Sequence, residues 1–78
     1  MKPLSEMVPG EALRLERISE ELELDAEMMK YFDDSDLRPD ASVELVQRDH
    51  HGALTVRVNG GSPVGVGDFA ADRLFVSF

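Results

Sequence analysis

Seventy-eight residues carry a formal net charge of −8, from sixteen acidic and eight basic side chains, with no cysteine and only two histidines. A chain this short makes one domain, 1–78, that can neither be stapled by disulfides nor close a Cys/His zinc site, and its acidity opposes direct nucleic-acid contact, which needs a basic surface. Hydrophobic content of 42% suits a folded domain, while the longest run of large apolar residues, Leu74-Phe75-Val76, is far too short to cross a bilayer; with no apolar secretion segment at the amino terminus, the expectation is a cytoplasmic protein without membrane insertion.

Leu4 to Val8 is a short opening segment, closed by a turn at Pro9-Gly10. From Glu11 to Ile18, Leu13 and Leu15 alternate with Arg14 and Glu16, which predicts a strand, although Ala, Leu, Glu and Arg also favour helix. Ser19 to Leu24 reads as an acidic connector. Asp25 then suits a helix N-cap, with Glu27 in the first turn where negative charge meets the helix dipole. Leu24, Met28, Met29 and Phe32 recur at three- and four-residue spacing and predict one apolar stripe, with the methionines as core filler. The helix fades near Ser35, and Pro39 drives Arg38 out of helical geometry.

Ser42–Asp49 and Ala53–Asn59 alternate as strands around His50-His51-Gly52, the pattern of a β-hairpin. Asn59-Gly60-Gly61 is the next turn, and Pro63 places Ser62–Val66 at a strand start or a sheet edge. Gly67–Asp72 reads as one helical turn. Arg73–Phe78 closes the chain as a strand, with Leu74, Val76 and Phe78 on one face. The fold expected is mainly β: a small SH3-like, partly open barrel of about five strands with one short helix between the first and second strands.

Charge is concentrated. Residues 19–40 hold nine acids against two bases, and the other 56 residues hold seven acids and six bases. Such a block is either a solvated face or a site for a hard divalent cation, and no EF-hand spacing is present. Catalysis finds no support. His50-His51 sits on a loop, where neighbouring side chains diverge. The serines lack a nucleophile-elbow context, and the glycines lack a Walker ending. Asp33-Asp34 has nothing to push its two pKa values apart.

The stretch Ile18–Val46 resembles the carboxy-terminal, SH3-like (FeoA-type) domain of the diphtheria-toxin-repressor family of iron-dependent regulators. The resemblance runs through Ser19-Glu20-Glu21-Leu22-Glu23, the acidic helix start Asp25-Ala26-Glu27, the Leu37-Arg38-Pro39 link and the strand Val43-Glu44-Leu45. The opening Leu4-Ser5-Glu6 with Pro9-Gly10, the hairpin strand Leu54–Val58, the Phe69-Ala70-Ala71 turn and the last strand extend it over nearly the whole chain. It implies a regulatory domain of an iron- or manganese-dependent transcriptional repressor, non-enzymatic and needing no cofactor to fold. Glu20 and Glu23 would be lent as metal ligands to a Fe²⁺ or Mn²⁺ site on the metal-binding and dimerisation domain of its own longer chain. Glu23 stands where a glutamine is typical. A proline-rich segment is a second implied partner, and DNA binding would belong to another part of the intact protein. The FeoA-type modules of ferrous-iron transport share the fold. The competing expectations are therefore a stand-alone interaction module of that kind and an acidic adaptor with no metal role.

Overall fold

Alternating apolar side chains become a six-stranded antiparallel sheet in the computed structural model, which describes residues 1–78. The strands are β1 (Lys2–Pro3), β2 (Ala12–Ile18), β3 (Ser42–Arg48), β4 (Leu54–Val58), β5 (Pro63–Val66) and β6 (Leu74–Ser77), in spatial order β1-β6-β2-β3-β4-β5. The end strands do not pair with each other, so the SH3-like sheet curls but stays open. The strand beyond the expected five is β1, whose two residues pair with Val76 and Phe75. Two residues are too few to carry a period, and only the pairing reveals them.

Two bulges bend the sheet. The β2–β6 register shifts between Leu15 and Arg17, and the β3–β4 register shifts between Leu45 and Gln47. An extra residue on one strand increases twist and re-aims the side chains beyond it. In β2 the buried positions therefore run Leu13, Leu15, Ile18 rather than strictly every second residue. In β3 the burial ends at Leu45, and Val46 turns outward. The core is completed by Val43, by Leu54, Val56 and Val58 of β4, and by Leu74 and Val76 of β6.

An open sheet must protect its edges. β1 is only two residues long. β5 begins at Pro63, which has no N–H to offer, and the Tyr31 hydroxyl donates to the Gly65 carbonyl at 2.8 Å.

Between β2 and β3 lie two helices, α1 (Glu20–Glu23) and α2 (Ala26–Asp34), where one was expected. The segment read as a connector is itself a helical turn, because Ser19 caps it: its Oγ accepts from the Glu21 N–H at 3.2 Å. Asp25 caps α2 as expected, its Oδ1 accepting from the Met28 N–H at 3.0 Å. Leu22, Phe32 and Leu37 pin this insert to the sheet, with Met28 and Met29 half-buried beside them. Two expected core residues are not core. Leu24 is 87% exposed because it precedes the cap of α2, where the chain changes direction and helical periodicity does not carry through. Phe78 is 99% exposed because it lies beyond Ser77, the last residue of β6 to pair with β2.

Candidate functional site

The chemistry-bearing sequence of the insert starts where β2 ends. The Ser19 N–H donates to the Arg73 carbonyl at 2.9 Å, which fixes the root of α1 against the start of β6. Leu22 is buried beneath the turn, so the neighbouring glutamates face outward. Glu20 and Glu23, three residues apart on one turn, share a side of it. Glu21 is held separately: Arg73 Nε lies 3.1 Å from its Oε2, while the same guanidinium stacks 3.7 Å from the Phe69 ring centroid and donates to the Phe69 carbonyl. Neither Glu20 nor Glu23 has an ion-pair partner.

Metal coordination was the function expected of this turn. Hard divalent cations take six or more oxygen ligands, or several plus water. The fold gathers no group of three or more His, Cys, Asp or Glu side chains able to hold an ion. Two exposed carboxylates without a third donor do not make a resident site. This corrects the reading of the chain as a repressor domain whose work is to lend metal ligands: the chain contains no assembled metal centre to which that work can be attached.

Other candidates dissolve in the same way. Asp33 and Asp34 are drawn to different cations, Asp33 to Arg38 at 3.0 Å and Asp34 to Lys30 at 3.1 Å, so they do not act as an acid–base pair. The His50 and His51 rings lie 4.9 Å apart on an exposed turn, where Asp49 Oδ1 accepts from the backbone N–H groups of His51 and Ala53. Those donors, the His51 amide first, hold the Asp49 carboxyl below its usual range. Glu11 is likewise lowered, by the Val8 N–H and then Lys2, and Glu16 by the Ser77 hydroxyl and then Arg14. All three shifts hold charge on structural hydrogen bonds, the opposite of the raised carboxyl that a general acid needs. A cavity of about 190 Å³ opens between the chain ends, lined by Met1, Leu13, Val76 and Phe78 with the Lys2–Glu11 pair. It contains no nucleophile poised beside a base.

What the fold presents instead is a corner. Leu24 stands almost fully in solvent between the two helices, with Glu20, Glu23 and Glu27 exposed around it in sequence. The sequence contained a signal for this, since Leu24 lies between Glu23 and the capping Asp25, and a residue ahead of a cap is outside the helical stripe.

The FeoA domain family model matches residues 2–77. No curated protein matches the chain. Among solved structures, an iron uptake regulatory protein (FeoA) superposes with a TM-score of 0.76 at 28% identity, covering 96% of this chain and 92% of that one. A manganese-dependent transcriptional repressor superposes with a TM-score of 0.82 at 23% identity, covering 97% of this chain but 40% of that one. A metal-dependent transcriptional regulator, MtsR, gives 0.76 at 21% identity, with 97% and 35% covered. The chain thus spans less than half the length of the two regulators, in which the same fold is one part of a longer polypeptide.

Proposed function

Because this chain belongs to the FeoA domain family, a family of regulatory, non-catalytic domains, we propose that it works as a FeoA-type interaction module of ferrous-iron transport, acting by contact with a protein partner at the cytoplasmic face of the membrane. The observation that carries this reading is the FeoA family match over residues 2–77 together with the 28% identity to the iron uptake regulatory protein. Two further features support it. The fold gathers no cluster of metal ligands, and its polar groups are spent on caps, turns and surface pairs rather than on a reactive centre. Function then resides in the surface, as it does for small domains that carry no site of their own.

The test is uptake of radiolabelled ferrous iron in the parent cells and in cells that lack the gene, with and without the restored full-length protein. The expected result is impaired uptake that the restored protein repairs. Uptake that is the same in all three strains removes the proposal.

A further inference from the structure

Asn59 is the only asparagine of the chain, and a glycine follows it. The two are the central residues of the turn that ends β4. The Gly61 N–H closes this turn on the Val58 carbonyl at 2.9 Å, and φ is 52° at Asn59 and 74° at Gly60. Two successive left-handed positions are what selects Asn-Gly here. Asn59 is tied twice to the start of β3: its N–H donates to the Ser42 carbonyl at 2.8 Å, and its Oδ1 accepts from the Ser42 N–H at 2.9 Å. The Asn59 Nδ2 and the Gly60 N–H donate to no group of the fold. Both residues are exposed, and a Cβ placed on Gly60 meets no atom within 4 Å. The turn thus holds an unbonded, unshielded amide nitrogen one residue from a side-chain carbonyl that a backbone donor polarises.

We propose that Asn59-Gly60 is a self-modification site, at which the Gly60 nitrogen attacks Asn59 Cγ and converts the asparagine to aspartate and isoaspartate. Hydroxide removes the Gly60 N–H proton. The Gly60 N–Cγ bond then forms, and the charge that develops on Oδ1 falls on the Ser42 N–H, as it does on a donor of an oxyanion hole. The Cγ–Nδ2 bond breaks, and Nδ2 takes a proton from water and leaves as ammonia. The cyclic imide that remains is opened by water at either carbonyl. Nothing is oxidised or reduced, and water and hydroxide are the only co-reactants. Glycine matters at the second position because a Cβ there would crowd the attacking nitrogen.

The two products differ in their effect on the sheet. Aspartate keeps the acceptor for Ser42 and makes the chain one unit more negative, in a cleft also lined by Asp36, Arg38 and Asp40. Isoaspartate carries the main chain through the former side chain. It therefore adds a methylene beside the Val43–Val58 pair, the last of the β3–β4 ladder before the turn. The site is independent of the transport reading, and neither depends on the other's outcome.

The experiment is incubation of the purified full chain at mildly alkaline pH, followed by tryptic digestion and mass spectrometry of Val58–Arg73, the peptide released by cleavage after Arg57. A zero-time sample sets the background, and the same peptide free in solution sets the reference rate. The folded chain is expected to gain the mass of exchanging NH2 for OH at Asn59, with release of ammonia and with isoaspartate present, read by labelling with isoaspartate methyltransferase. Amide shifts are expected at Ser42, Val58 and Gly61 in the isoaspartate product. Gly60→Ala is expected to slow the conversion about tenfold or more, the loss of an open path for the nitrogen. Because alanine is strained at a positive φ, the substitution is also read in the free peptide, where folding plays no part. A folded-chain rate below about a tenth of the free peptide's overturns the proposal, since the turn would then protect the asparagine. So does a product that is aspartate alone, or a rate that Gly60→Ala leaves unchanged in both chain and peptide, since water would then be attacking the amide directly.

Discussion

The insert, residues 19–40, buries three side chains, Leu22, Phe32 and Leu37; the remaining 56 residues bury the other sixteen of the nineteen in the core. The same insert holds nine of the sixteen acids. In the sheet, charge is balanced in pairs, as where Arg14 meets Glu16 within β2 and Lys2 of β1 meets Glu11. In the insert it accumulates, and exposed pairs such as Lys30–Asp34 contribute little to stability. The contrast teaches where the stability of the fold resides. Burial of about 25 cal/mol per Å² of apolar surface holds the sheet together, while the insert, fixed by only three anchors, is free to carry charge that folding does not require.

That contrast breaks most directly at Phe32, the largest fully buried side chain. Phe32→Ala is expected to cost about 3–5 kcal/mol in urea denaturation, because the insert and the sheet share one core. A cost below about 1 kcal/mol would mean that the insert detaches by itself and the two regions are separate folding units. Removing the α2 cap with Asp25→Ala is expected to cost about 1 kcal/mol, read as a lower urea midpoint with an unchanged slope.

Acid separates the regions again. The carboxyls lowered by hydrogen bonds, Glu11, Glu16 and Asp49, all belong to the sheet and its turns. A carboxyl with a folded pKa below its unfolded value contributes stability that is fully present above the unfolded value, 4.5 for glutamate and 3.8 for aspartate. That contribution is lost as pH falls through the lowered folded value. Melting temperature is therefore expected to be flat down to about pH 5 and to fall below it, and Glu16→Gln is expected to flatten the fall. The smallest effect is expected at the hairpin. His51→Ala should shift stability by less than about 0.5 kcal/mol, since its ring is exposed and its backbone N–H, which the substitution keeps, makes the bond to Asp49.

Most strands were legible in the sequence. Leu54, Val56 and Val58 alternate with Thr55 and Arg57, and all three are buried. Pro63 marks an edge, and β5 is one. The helix cap at Asp25 was legible because a short side-chain acceptor ahead of an apolar-periodic segment is a local signal. The candidate site was legible in composition and not in arrangement. Glu20 and Glu23 stood out by their spacing, but whether a third ligand approaches them is a matter of distances between elements remote in the chain, and none does. Leu24 and Phe78 fitted apolar periods on paper and lie in solvent.

The sequence by itself determined the element types, the acidity of the insert and the absence of thiol chemistry, because period, composition and caps are properties of neighbours along the chain. Tertiary structure alone decided that β1 adds a sixth strand and that bulges at Leu15–Arg17 and Leu45–Gln47 turn the sheet inward without closing it. Each of these depends on which distant strand or helix is present to pair with or cover a residue, and pairing across space is not written in any local window.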